Sequence, residues 1–252
     1  MTRLFVSDEN VVENGGSITI HGSEVHHIIN VLRKKKGDLL NFFDGRGCEY
    51  KARIISIRKE KEPAVETIVL EKLKTAKEPE VRIRLFQCIP KGDKMDLLVQ
   101  KCTEIGIHEI VPVVSERTIV RPSGGRFETK IERWRKIARS ASEQSGRNTI
   151  PAVRNPEEFK NAIKNAERDC SKLMLWESET GKHLGEYLRK IKTDLKEVIL
   201  MVGPEGGFSP AEAAEAGECG FNSVTMGSRV LRTETAGLIA AAIILYETGE
   251  IG

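Results

Sequence analysis

Twice between Val198 and Leu245 the chain passes from a short apolar run through a glycine-bearing turn into a helical pattern. The first passage runs from Val198-Ile199-Leu200-Met201-Val202 into Gly203-Pro204-Glu205-Gly206-Gly207-Phe208-Ser209-Pro210. The second runs from Ser223 to Met226, through Gly227-Ser228-Arg229-Val230-Leu231-Arg232-Thr233-Glu234-Thr235, into Ala236 to Leu245. Strand, tight turn and helix in that order is how an α/β protein presents bare backbone to a ligand. The two junctions are only a helix apart, and the second carries Arg, Thr and Glu. One composite pocket is the expectation.

The same alternation extends upstream. Val81 to Leu85, Glu109 to Val114 and Leu173 to Trp176 read as strands, joining Val198 to Val202 and Ser223 to Met226. Helical spacing links Met95, Leu98, Val99, Cys102 and Ile105, and recurs near Glu128–Gln144, Pro156–Ala166, Leu184–Ile191, Pro210–Cys219 and Thr233–Tyr246. Ser209 can cap a helix opened by Pro210. Repeated βα units imply a mainly parallel sheet with helices on both faces.

Lys72 to Glu80 is polar and proline-bearing, and reads as a linker. Ahead of it lie short strand signals: Leu4–Val6, Ser17–Ile20, Leu39–Phe43, Tyr50–Ile57 and Thr67–Leu70. Asp44-Gly45-Arg46-Gly47 forms a hairpin turn between two of them. One helix interrupts, with Ser23 able to cap it and Val25, Ile28, Ile29 and Leu32 on one face. We therefore expect a small β-rich domain over 1–73 and an α/β domain over 74–252.

Composition narrows the function. The chain has 252 residues, enough for a large core, and no apolar run of the roughly 18 residues needed to span a bilayer. The N-terminus turns acidic at once and lacks a signal-peptide apolar region, so cytoplasmic residence without membrane association is expected. The five cysteines are scattered without Cys-x-x-Cys spacing, and Cys88 and Cys102 lie in apolar runs as buried thiols. The five histidines make no ligand pattern, and no metal is expected. Net charge is only +3, yet Ser115 to Ile150 holds nine basic residues against four acidic ones. With Arg33-Lys34-Lys35-Lys36, this is the footprint of a polyanion partner; the plain alternative is a solvated helix face.

Gly203-Pro204-Glu205-Gly206-Gly207 is neither a phosphate loop nor the dinucleotide Gly-x-Gly-x-x-Gly pattern. Its glycines expose backbone with no side chain in the way. In the second loop Thr233 or Thr235 can be an N-cap, and Glu234 can complement the helix dipole. That leaves Arg229 and Arg232 unexplained, and arginine is a natural clamp for phosphate or a developing anion. A bare RNA-binding factor would leave both glycine junctions idle. A nucleotide hydrolase would need a phosphate-loop lysine and a magnesium-binding acidic pair.

These two loops closely resemble those of the ribosomal RNA small subunit methyltransferase E family, in the SPOUT class. The resemblance extends to Gln87-Cys88-Ile89-Pro90-Lys91-Gly92-Asp93-Lys94-Met95, Gln100 to Gly106 and Arg139 to Arg147, and to His26-His27-Ile28-Ile29-Asn30-Val31-Leu32-Arg33. It covers essentially the whole chain. The family usually has leucine and proline where this chain has Met226 and Ser228; Met226 keeps an apolar wall, while Ser228 loosens the turn.

The resemblance implies a PUA-like β-barrel domain followed by an α/β domain with a C-terminal trefoil knot. It also implies a homodimer that uses S-adenosylmethionine to methylate N3 of one uridine in 16S rRNA of the small ribosomal subunit. Leu175, Val202, Gly203, Pro204, Glu205, Gly206, Gly207, Met226, Gly227, Leu231 and Arg232 would then hold the methyl donor. Arg232 would stabilise the uridine anion, with Glu234 or Glu205 as base. Arg33, Lys34, Lys91, Lys94, Arg139 and Arg147 would contact RNA, with Arg139, Glu143 and Arg147 sharing a helix face through i, i+4 spacing.

Overall fold

The computed structural model describes residues 3–7, 11–12, 16–74, 78–122, 124–166 and 169–252. Of the expected Lys72–Glu80 linker, Lys72–Lys74 instead end a strand and residues 75–77 lie outside the described residues, as does the side chain of Arg126 in the basic segment. The chain divides into two compact units, residues 1–78 with 142–150, and residues 79–141 with 151–252. Compactness here follows contacts rather than chain order, since a short later segment joins the first unit.

The first unit holds β1 (Arg3–Phe5), β2 (Val11–Val12), β3 (Ser17–His21), α1 (Ser23–His26), β4 (Leu39–Phe43), β5 (Cys48–Arg58) and β6 (Ala64–Lys74). They form one sheet in the order β1-β4-β5-β6-β3-β2, antiparallel except where β1 runs alongside β4. Alternation puts Ile18, Ile20, Phe42, Ala52 and Ile54 into the core with Val25 and Ile28 of the helical segment. Irregularities at Lys51/Ala52 and Ile54/Ser56 of β5 sharpen the local twist of the long β5–β6 pair. The hairpin turn forms as expected: Asp44 Oδ1 accepts the amides of Arg46 and Cys48 at 2.8 and 3.0 Å.

Ser23 does not cap α1. Gly22 takes the capping position with φ of 69°, and Ser23 falls inside the first turn. The helix then widens into a π turn over His27–Val31, closed by the Leu32 amide on the His27 carbonyl.

The second unit contains β7 (Arg82–Cys88), α2 (Lys94–Ile105), β8 (Glu109–Val114), α3 (Gly124–Ser145), β9 (Ala152–Val153), β10 (Glu157–Glu158), α4 (Phe159–Lys164), β11 (Ser171–Leu175), α5 (Leu184–Ile191), β12 (Glu197–Val202), α6 (Pro210–Glu218), β13 (Asn222–Val224) and α7 (Thr233–Glu247), with the end of α3 counted in the first unit. Every pairing in its sheet is parallel, in the order β10-β8-β7-β12-β11-β13, with β9 beside β8. The near-continuous apolar runs of β8 and β12 follow from burial on both faces. Helix α4 is shorter than its apolar spacing predicts, because Glu157–Glu158 pair with Val113–Val114 as an edge strand.

Helices α4 and α6 supply Phe159, Ala162, Ile163, Ala213 and Ala216 to a core with Phe86, Val111, Met174, Ile199 and Met201. Helix α7 packs on β7 and β12, and against α2 and α5. Ser209 and Glu212 complete a capping box ahead of Pro210, so α6 starts where its sequence signal places it. Burial pushes the Cys88 and Cys102 thiols up to about 12, which keeps both inert.

Candidate functional site

The carboxyl ends of β11, β12 and β13 open into one cavity of about 690 Å³. Strand β12 lies between β7 and β11, although β11 precedes it in the chain. Neighbouring connections therefore leave in different directions, which is where open parallel sheets bind ligands.

The first loop forms the cavity floor. Gly207 donates its amide to the Pro204 carbonyl at 2.9 Å and has φ of 65°. A Cβ there would also lie 2.5 Å from Glu177 Oε1. Glycine is thus required both by the backbone and by a close approach. Outside the cavity, Arg117 Nη1 donates to the Gly206 carbonyl at 2.8 Å, and its stem packs on the Gly206 Cα. Gly206 is consequently turned away and does not line the cavity, unlike the other donor-site residues expected from sequence.

The second loop forms the opposite wall. Met226, Gly227, Leu231 and Arg232 line it, and Gly227 has φ of 110°. Leu175, Val202 and Leu231 give apolar surface. Arg232 is exposed at the residue just before α7, and the helix has no side-chain cap. Thr233 does not cap it either: its hydroxyl donates to the Gly203 carbonyl at 2.5 Å and accepts from Gln87 Nε2 at 2.8 Å. The two loops are therefore joined through a single threonine.

Glu205 and Glu234 occupy different surroundings. Glu205 Oε1 accepts from Lys94 Nζ at 2.9 Å and from the Lys91 amide at 3.0 Å. Burial disfavours its charged form, but Lys94 and the backbone donors outweigh burial and hold the carboxyl below its usual range. Lys94 is correspondingly raised, first by its bond to Glu205. Glu234 sits beneath Lys94, 3.6 Å from Nζ, with Oε2 buried and accepting no hydrogen bond among the described residues. It does not line the cavity.

Sequence reasoning missed Trp176, Glu177, Glu179, Thr180 and His183, which line the cavity from the segment after β11. They follow a buried parallel strand whose two neighbours both end in the site, an adjacency that the sequence does not record. Phe208 was missed too; its ring lies against Gly203, where a Cβ would be 3.2 Å away.

The basic residues separate. Lys94 is engaged within the site, and Lys91 stands exposed at its edge. Arg33 is exposed and Lys34 partly so, in the turn before β4. Arg139 is partly buried on α3. Arg147 does not share that helix face: α3 ends at Ser145, Gly146 reverses the chain with φ of 84°, and Arg147 is buried against Glu78 at 2.6 and 2.9 Å. Among the described residues no His, Cys, Asp and Glu group could hold a metal, and no helix is long and apolar enough to cross a membrane.

Known proteins match both units. An RNA methyltransferase domain matches residues 77–245, and an RNA methyltransferase PUA domain matches residues 20–66. Ribosomal RNA small subunit methyltransferase E of Bacillus subtilis (strain 168) is 34% identical, over 98% of this chain and 97% of its own. The protein of that name from Synechocystis is 31% identical over 96% of this chain and 76% of its own. A crystal structure of the Neisseria gonorrhoeae ribosomal RNA small subunit methyltransferase E, bound to S-adenosyl methionine, superposes with a TM-score of 0.85 at 35% identity, covering 98% of this chain and 97% of that one. With an RNA methyltransferase domain across most of its length and full-length relatives above 30% identity, the chain belongs to the ribosomal RNA small subunit methyltransferase E family.

Proposed function

We propose that this protein transfers the methyl group of S-adenosylmethionine to N3 of one uridine in 16S rRNA of the small ribosomal subunit. We further propose that it does so as a homodimer, with the knotted topology of the SPOUT class. The observation that carries the reading is the composite cavity, built by two loops and a family-matched sheet.

The cavity suits that donor. Gly203 and Gly207 let Phe208 and Glu177 close against the turn where a Cβ would clash, Leu175, Val202 and Leu231 offer apolar walls for an adenine, and Glu177, Glu179 and Glu205 offer carboxylates to a cationic ligand. The bound donor would supply an electrophilic methyl group on a sulfonium.

The chain's own residues then have two tasks. The first is placement: near-attack geometry can contribute roughly 7–11 kcal/mol, and two loops fixed to one sheet are suited to provide it. The second is handling the N3 proton of uridine, a weak acid. Arg232, exposed on the cavity wall, is the cation proposed to stabilise the uridine anion. Glu205 and Glu234 are the candidate bases. Glu205 faces the cavity with a lowered pKa, while Glu234 lies behind Lys94, its Oε2 ion-paired with Nζ at 3.6 Å. Arg33, Lys34, Lys91 and Arg139 are the proposed RNA contacts. Arg147, committed to Glu78, is proposed to act through the fold.

Two measurements test the proposal together. Millimolar S-adenosylmethionine should raise the melting temperature, whereas a shift with NAD or ATP alone would overturn the donor assignment. Mass mapping of 16S rRNA from a strain lacking this gene should show one uridine without its methyl group; a complete methylation pattern would overturn the substrate.

A further inference from the structure

Gln87 is fully buried at the end of β7, in register with Val202 of β12 and Pro112 of β8. Its Nε2 donates to the Cys88 carbonyl at 3.0 Å and to Thr233 Oγ1 at 2.8 Å. Because that lone pair of Thr233 is occupied, the threonine proton is directed to the Gly203 carbonyl at 2.5 Å. One line of hydrogen bonds thus runs from the central strand, through the first residue of α7, to the glycine that opens the first loop. Thr233 is itself 5% exposed and lines the cavity.

This arrangement leaves a defect. Gln87 Oε1 is buried and has no hydrogen-bond partner among the described residues. A protein selecting for stability alone would place an apolar side chain here, since an orphaned buried oxygen is destabilising. Gly237, one turn after Thr233 on α7, accommodates the amide: a Cβ there would lie 3.1 Å from Oε1. Helix and strand are thus shaped around the glutamine amide.

We infer that Gln87 is a positioning residue: through Thr233 it sets the Gly203 carbonyl and fixes the two loops relative to each other for donor binding. The inference rests on the methyl-donor reading of the cavity. With the Gly203 carbonyl bonded to Thr233, the Pro204 carbonyl to Gly207 and the Gly206 carbonyl to Arg117, three acceptors of the turn are satisfied within the protein. Loss of the first would let the turn rotate at Gly203, whose φ and ψ are restrained by no side chain of its own.

The experiment uses the full chain with Gln87→Met, Thr233→Val and Thr233→Ser. Gln87→Met keeps the length of the side chain and removes both the donor and the orphaned oxygen. It should melt at or above the wild-type temperature, yet raise the Kd and KM for S-adenosylmethionine about tenfold, with kcat changed less than threefold. Thr233→Val should weaken donor binding similarly, and Thr233→Ser, which retains the hydroxyl, should restore it to within about twofold of wild type. A wild-type Kd and KM in Gln87→Met would overturn the inference while leaving the donor site standing. Equal weakening by Thr233→Ser and Thr233→Val would also overturn it, since the hydroxyl would then be irrelevant. A wild-type protein with no affinity for S-adenosylmethionine in the same titration would remove the donor reading and this inference together.

Discussion

Arg232 and Lys94 are both cations of the cavity, but their surroundings assign them different work. Lys94 has its charge balanced by Glu205, with Glu234 behind it, and is held in place by α2, the first loop and α7. Arg232 is exposed, and no ion pair engages it among the described residues. A group that must meet charge developing on a substrate should be free of such a partner beforehand, since a compensated cation offers little further stabilisation. Arg232→Ala is therefore expected to lower kcat by about 10²–10³-fold, the usual effect of removing one donor to a developing anion. The melting shift with S-adenosylmethionine should persist. Single-turnover methylation of rRNA measures the first, and a turnover within twofold of wild type would rule out this role. Arg232→Lys should recover only part of the activity, because it keeps the charge and loses the planar fork.

At the scale of elements, the glycine turn and the Ser209 cap were legible because they rest on local chemistry, whereas Gly22 takes the capping place of α1 from Ser23. Ser209-Pro210 followed by Glu212 specifies a helix start whatever surrounds it, and the structure contains that capping box. Asp44-Gly45-Arg46-Gly47 likewise encodes its own turn. The failures were tertiary. Thr233 looked like a cap, but its hydroxyl has better partners in Gln87 and Gly203, residues remote in sequence. Spacing puts Arg147 on the helical face of Arg139 and Glu143, but Gly146 ends that geometry and Glu78 captures the guanidinium. Gly207 combines both levels, with a left-handed backbone visible as glycine in the sequence and a Glu177 contact visible only in the fold. Gly207→Ala should cost about 1–2 kcal/mol from the positive φ. It should also weaken S-adenosylmethionine binding about tenfold as Glu177 is displaced, and calorimetric titration beside thermal unfolding would measure the two effects. An undiminished affinity would mean that the turn is not the cradle.

For the whole molecule, the parallel sheet was readable from alternating strand and helix signals, but its strand order was not. Periodicity reports which face of an element is apolar and carries no record of which strand it adjoins. The insertion of β12 between β7 and β11 is thus seen only in the fold. The proposed homodimer has a candidate contact surface on α7. Its inner face buries Gly237, Ala240, Ala241, Ile244 and Leu245, yet Ile239 and Tyr246 are 40% and 66% exposed. These two lie seven residues apart and share the outer face, where Ile243 is half-buried. A helix apolar on all sides belongs in an interior, and here one side is left uncovered by the described residues of the chain. Helix α2, packed against α7, exposes Leu97 at 52%. A second copy of the chain meeting this surface would bury it, as the homodimer proposal requires. The wild-type protein should sediment at twice its 28.1 kDa chain mass. Ile239→Glu with Tyr246→Glu should shift it to a monomer, because two carboxylates would be desolvated at the contact. The far-UV spectrum should remain unchanged, since neither side chain supports the inner face. A wild-type protein that sediments as a monomer at micromolar concentration, or a double variant that remains dimeric, would place the subunit contact elsewhere or nowhere.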